Sequence, residues 1–268
     1  MGSRELLAQT DDLPEHETIR LLMAATGRSR SGVIVGFDVS PEEHDAFDLF
    51  VERRRAGEPL QYIEGTVVFG PVELRVDERV LIPRPETEHL FELVVAMADD
   101  PRVIVDLCTG SGNLALALAA TFPDAEVYAV DLSQDAASVA RENVLRTNLG
   151  VHVLTGSLFD PLPDRIRGSV DLLVSNPPYL AAHELEDLPV DVLAEPEMAL
   201  VAGPGGGEVL ASIAAGAGEW LAPGGLVACE ISEFHGNSVA NLFDRYEPTI
   251  RLDLTGRERY VFGSLRFR

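Results

Sequence analysis

From Arg102 onward, short apolar runs alternate with segments of helical periodicity, and this alternation constrains the fold more than any other feature. The runs VIVDL, AEVYAV, VHVLTG, VDLLVS and LVACEI are five or six residues long. Between them, GNLALALAATF, SQDAASVARENVLRTN (capped by Ser133) and residues 206–221 read as helices. Strands this short and this apolar are buried on both faces. Repeated strand–helix units therefore predict a parallel sheet covered by helices on both sides, an α/β fold. The helix over 206–221 is expected to stop at the Pro223-Gly224-Gly225 turn. Two further runs, about 248–267, separated by TGRER, predict a hairpin.

The first sixty or so residues read differently. HETIRLLMAATG places Ile19, Leu22 and Met23 at helical spacing and stops at Gly27. A second helix opens with Ser40 as N-cap, Pro41 at the first helical position and acids in the first turn, and stops at Gly57. TVVFGPVELRV alternates on both sides of Gly70-Pro71, as a β-hairpin does. The expected organisation is a small helical domain over 1–62, a linking hairpin over 63–80 and a large α/β domain over 81–268.

Charge and cysteine usage narrow the function classes. The 44 acidic and 21 basic residues give a formal net charge of −23. Proteins that grip nucleic acid neutralise phosphates with Lys/Arg faces. The charge thus weighs against direct nucleic-acid binding, and the Arg53-Arg54-Arg55 run reads as a solvated helix face. No apolar stretch approaches the ~18 residues of a membrane span, and no apolar signal region opens the chain, so a cytoplasmic protein is expected. Cys108 and Cys229 sit in apolar runs that read as strands and are expected to be reduced thiols. Neither has the spacing of a zinc site, the six histidines are scattered, and no metal is expected.

In an open α/β sheet, ligands bind at the carboxyl ends of the strands, and three motifs fall there. DLCTGSG, Asp106 to Gly112, follows the first strand, and Gly110 and Gly112 admit close approach of backbone to a ligand. Asp131 ends the second strand, where a carboxylate can accept both hydroxyls of a ribose. Together they point to an adenosine-containing cofactor, a signature that dehydrogenases share. The third motif is Asn176-Pro177-Pro178-Tyr179. The prolines stiffen the loop. The Asn176 side-chain oxygen and the Pro177 carbonyl can accept the two N–H bonds of a planar NH₂ group, and Tyr179 offers a face to pack on it. That arrangement suits methyl transfer to a weakly nucleophilic nitrogen.

These motifs, with VLIPRPETE, GEPLQYIEG and EPEMAL, resemble the HemK/PrmC family of protein-(glutamine N(5)) methyltransferases. The resemblance runs from about Gly57 to the C-terminus. It implies a class I S-adenosylmethionine-dependent, Rossmann-like methyltransferase sheet with a small all-α N-terminal domain that docks the substrate. The implied substrate is the Gly-Gly-Gln glutamine of a class I peptide-chain release factor. The implied cofactor is S-adenosylmethionine, leaving as S-adenosylhomocysteine. By the same resemblance Thr109, Gly110, Ser111 and Gly112 line the methionine part, Asp131 holds the ribose, Ser157 and Leu158 lie at the adenine, and Cys108 and Asn176 complete the cofactor-binding set. Asn176, Pro177, Pro178 and Tyr179 clamp the substrate amide. Arg84 either shapes the substrate mouth or pairs with Glu86 or Glu88. Cys108 stands where the family usually has glycine, Ser157 where it has an acid, and Leu158 where some members carry an aromatic ring. Rival readings are a methyltransferase for an exocyclic amine of DNA or RNA, one for a glutamine of another protein, and a non-catalytic nucleotide-binding module. Nothing calls for a dimer, and a monomer is expected.

Overall fold

The structure, a computed structural model, describes residues 2–232 and 236–265. The chain forms two compact units. One comprises the residues up to Thr66 together with Pro189–Ala194, and the other comprises Val67–Leu188 together with the residues from Glu195 on.

The first unit is helical: α1 (Ser3–Ala8), α2 (Glu15–Thr26), α3 (Arg30–Val35), α4 (Pro41–Arg55) and α5 (Leu60–Glu64), plus a short helical turn at Val190–Leu193. Ser40 and Glu43 form the reciprocal capping box of α4. Glu43 N–H donates to Ser40 Oγ at 3.2 Å, and Ser40 N–H donates to the Glu43 carboxylate at 2.8 Å. Gly27 ends α2 with φ +66°. Leu21, Leu22, Val33, Phe47 and Val51 are buried together in its core. Each residue of the Arg53–Arg55 run meets carboxylates: Arg53 meets Glu58, Arg54 meets Glu17 and Asp191, and Arg55 meets Asp12. The run is therefore neutralised by acids rather than merely solvated.

The two-stranded ribbon of β1 (Thr66–Phe69) and β2 (Val72–Arg75) belongs, from Val67 on, to the second unit, and α6 (Pro85–Met97) follows it. Then come β3 (Val103–Leu107), α7 (Asn113–Thr121), β4 (Glu126–Asp131), α8 (Gln134–Thr147), β5 (Val151–Thr155), β6 (Val170–Ser175), α9 (Glu208–Trp220), β7 (Leu221–Glu230), α10 (Gly236–Leu242), β8 (Thr249–Leu252) and β9 (Glu258–Ser264). The seven-stranded sheet has the order β8-β9-β7-β6-β3-β4-β5. β5, β4, β3, β6 and β7 are parallel, and β9 runs antiparallel to both β7 and β8. Period-two alternation splits the strands between two apolar cores. Val105, Leu107, Leu173 and Val227 face one, and Ile104, Leu172, Val174 and Ala228 face the other. The chain winds from β3 outward to β5, then returns to the other side of β3 at β6, so the strand order reverses beside β3. That reversal opens a crevice at the carboxyl ends of β3, β4 and β6.

Two local expectations need correction. α9 ends at Trp220, and β7 already starts at Leu221. The Pro223-Gly224-Gly225 turn sits inside β7 as an irregularity between the pairings Val170–Leu221 and Leu172–Leu226. The Gly225 backbone lies too close to Val170 for a side chain, since a Cβ would stand 2.6 Å from the Val170 oxygen. Cys229 is in β7, but Cys108 lies just past β3 with φ +59°. The expected second run of the C-terminal hairpin ends at Ser264, and its last positions, 266 and 267, fall outside the described residues. No helix among the described residues is long and apolar enough to cross a membrane.

Candidate active site

A cavity of about 280 Å³ opens at the carboxyl ends of the central strands. Cys108, Gly110, Asp131, Ser157 and Leu158 line it on one side, and Asn176 and Pro178 on another. The loop after β3 is built to expose one glycine and bury its neighbours. Thr109 and Ser111 are buried, and the Thr109 hydroxyl donates to Asp106 Oδ2 at 2.5 Å. The Asn143 amide on α8 donates to the Ser111 carbonyl at 2.9 Å. Gly112, at φ +84°, packs against Leu116. Gly110, at φ +56°, borders the cavity, and a Cβ there would meet nothing within 4 Å. Of the expected loop residues, therefore, Cys108 and Gly110 reach the cavity, while Thr109, Ser111 and Gly112 shape the turn.

Asp131 serves the loop as well as the cavity. One carboxylate oxygen accepts the Gly110 N–H at 2.8 Å and the other accepts the Ser133 N–H at 2.9 Å. Burial raises its pKa against these hydrogen bonds. Deeper in, burial pushes the Asp106 carboxyl up to about 7. Its Oδ1, like Ser111 Oγ, is buried with no partner.

The Asn176–Tyr179 segment leaves β6 after Ser175, whose hydroxyl donates to the Leu107 carbonyl at 2.7 Å and ties it to β3. The Asn176 side-chain NH₂ donates to Thr87 Oγ1 at 2.9 Å. The Thr87 hydroxyl in turn donates to Glu230 Oε2 at 2.8 Å. Pro177 is buried, and Tyr179 is half-buried with its hydroxyl pushed up to about 12 by burial. Gly206 backs the segment, because a Cβ there would lie 2.7 Å from the Tyr179 carbonyl. The segment is thus braced from behind, with the Asn176 side chain in the cavity wall.

Two family models match the chain: the PrmC N-terminal domain over residues 1–65 and the methyltransferase small domain over residues 87–211. The release factor glutamine methyltransferase of Deinococcus radiodurans is 39% identical, over 92% of this chain and 90% of its own length. That of Mycolicibacterium smegmatis is 41% identical, over 94% and 90%. The chain belongs to the release factor glutamine methyltransferase family. A methyltransferase from Pyrococcus furiosus (TM-score 0.55, 18% identity, 72% of this chain and 89% of that one) shares the fold. So does the T. thermophilus 16S rRNA N2 G1207 methyltransferase in complex with AdoMet and guanosine (TM-score 0.54, 18% identity, 75% and 50%). The sheet unit is a class I methyltransferase fold.

Arg84 pairs with Glu195 at 2.6 Å. It bonds neither Glu86 nor Glu88, and Glu88 instead accepts the Gly70 N–H at 2.8 Å. Arg84 is not in the cavity wall. Four acids and alcohols that matter stood inside the quoted segments with no role assigned to them: Asp106, Thr87, Glu195 and Glu230. One signal was present for Glu230: an ionisable residue inside the apolar run LVACEI must be partnered when buried. Thr87 carried no such signal. Among the described residues, no group of three His, Cys, Asp or Glu side chains could hold a metal ion.

Proposed function

We propose that this protein transfers a methyl group from S-adenosylmethionine to the side-chain amide nitrogen of the glutamine in the Gly-Gly-Gln motif of a class I peptide-chain release factor. The observation that carries this reading is the braced Asn176 amide in the wall of a cavity that also holds Gly110 and Asp131. The cavity suits the cofactor chemically. Gly110 leaves open space where a side chain would stand. Asp131 offers a carboxylate for ribose hydroxyls, and Val130, Leu132 and Leu158 supply apolar surface for a base. Ser157 supplies a hydroxyl there.

When bound, the cofactor supplies an electrophilic methyl carbon on a sulfonium. The protein's part is positioning. The Asn176 oxygen and the Pro177 carbonyl accept the two N–H bonds of the substrate amide, orient its plane and favour the positive charge that grows on the nitrogen. Tyr179 packs on that plane, and Pro178 stiffens the segment. No strong base is needed, because the nitrogen proton becomes far more acidic as the new bond forms. The helical unit, with its own core, is the candidate docking element for the protein substrate. A translation substrate places the reaction in the cytoplasm, and the protein is taken to act as a monomer.

The test is methyl transfer from labelled S-adenosylmethionine to a class I release factor, beside the same factor with its Gly-Gly-Gln glutamine replaced by alanine. Label on the first alone supports the reading. Label on neither, with cofactor binding intact, overturns the substrate and directs the search to other proteins and to nucleic-acid amines.

A further inference from the structure

Thr87 stands between Asn176 and Glu230 and has one proton to give. Its hydroxyl donates to Glu230 Oε2 at 2.8 Å, so toward Asn176 it can only accept. That leaves one orientation of the Asn176 amide: NH₂ toward Thr87 at 2.9 Å, and Oδ1 as the end left for the cavity. An amide is nearly symmetric in shape, so packing alone does not choose between its ends. A directed hydrogen-bond chain does.

We propose that Glu230, acting through Thr87, is a positioning residue that sets which end of the Asn176 amide meets the substrate nitrogen. The inference rests on the methyl-transfer reading for its consequence, but not for its geometry.

The three residues come from separate elements. Thr87 is in the first turn of α6, Asn176 follows β6, and Glu230 ends β7. All three are held in place. Glu230 is buried at 1% exposure and paired in register with Tyr260 of β9. The Tyr260 hydroxyl donates to the Glu86 carbonyl at 2.8 Å, which fixes the turn that carries Thr87.

The chain has a direction that protonation can reverse. A neutral Glu230 can donate its own proton to Thr87. The Thr87 proton is then free to point at Asn176, and the amide turns its oxygen to it. An NH₂ end would then face the substrate NH₂, two donors with no acceptor, and the clamp is lost. Burial pushes Glu230 up to about 7. Glu86 adds to the rise, while the Thr87 hydrogen bond, Arg259 and Arg84 oppose it. The hydroxyls of Tyr179 and Tyr260 also sense its charge. The reversal therefore falls near neutral pH.

The experiment combines kinetics with a spectroscopic readout on the full chain. In the wild type, kcat is expected to fall about tenfold per pH unit on the acid side of about pH 7. Glu230→Gln keeps an acceptor for Thr87 at every pH and should flatten that limb. Thr87→Val, which keeps the shape and removes the hydroxyl, should lower kcat about 100-fold with cofactor affinity retained, and Thr87→Ser should recover most of the loss. Melting curves report whether each variant folds. Independently of turnover, the ¹⁵N-labelled side-chain amide of Asn176, assigned by its absence in Asn176→Ala, should shift with one titration near neutral pH in the wild type and not in Glu230→Gln. Wild-type turnover in Thr87→Val, or an Asn176 amide that ignores pH, would overturn the proposal. If the wild type methylates no release factor, the substrate reading fails, and the amide titration still decides the relay.

Discussion

Asp131 accepts a hydrogen bond from the backbone N–H of Gly110 at 2.8 Å. The acid that ends β4 therefore fixes the loop that follows β3, and the acceptor proposed for the ribose and the glycine cradle are one construction. Its other oxygen is held by Ser133, so the carboxylate cannot swing away when a ligand arrives. Asp131→Ala should weaken S-adenosylmethionine binding by about 10–100-fold, the worth of charge-assisted hydrogen bonds. Asp131→Asn should lose nearly as much, because an amide NH₂ would face a backbone N–H. Titration calorimetry checks both, and unchanged affinity in the alanine variant would remove the ribose role.

Cys108 holds φ +59°, a left-handed conformation that costs an L-residue roughly 1–2 kcal/mol. Glycine adopts it freely but loses more entropy on folding, about 0.5–1 kcal/mol. Cys108→Gly should therefore stabilise the fold by about 0.5–1 kcal/mol, a rise in melting temperature of about 2 °C for a chain of this size. Cys108→Val, β-branched, should instead destabilise. Equal melting temperatures across the three would show that the turn relaxes around the side chain.

Removal of the Asn176 amide should separate binding from turnover. Asn176→Ala is expected to lower kcat about 100-fold or more while cofactor binding largely survives, since Gly110 and Asp131 are untouched. Single-turnover methylation beside calorimetry reads the split. Full activity in this variant would end the clamp model.

The Arg84–Glu195 pair predicts an asymmetry. The Glu195 side chain is 1% exposed and that of Arg84 31%. Arg84→Met removes the ion-pair partner of a buried carboxylate that still accepts the Ile82 N–H at 3.4 Å, and should cost about 1–3 kcal/mol; the double variant Arg84→Met/Glu195→Leu should recover part of it. Urea unfolding of the three proteins tests the cycle, and purely additive losses would argue against the pairing.

Asp106 gives a pH signature. Its carboxyl is raised from 3.8 to about 7 in the folded state. Between those values the native state holds more protons than the unfolded chain, so this group's contribution is full at low pH and is lost as pH rises toward 7. Asp106→Asn, which does not titrate, should gain stability relative to the wild type between about pH 5 and about pH 8. Parallel melting curves at the two pH values measure the difference.

Much of this protein is local and therefore legible in the chain. Strand length and apolarity fix the parallel sheet. Ser40, Pro41 and Glu43 fix a helix start through contacts three residues apart. Asn176-Pro177-Pro178-Tyr179 and Asp106–Gly112 announce themselves because each motif's chemistry lies within a few consecutive residues. Tertiary structure alone decided the partners. Thr87 meets Asn176 across 89 positions and Glu230 across 143, and Arg84 passes over its sequence neighbours Glu86 and Glu88 to meet Glu195, 111 positions away. Such pairings depend on which strand lands beside which in the sheet. Residue type predicts that a buried acid needs a donor, but only the fold brings a particular donor within reach.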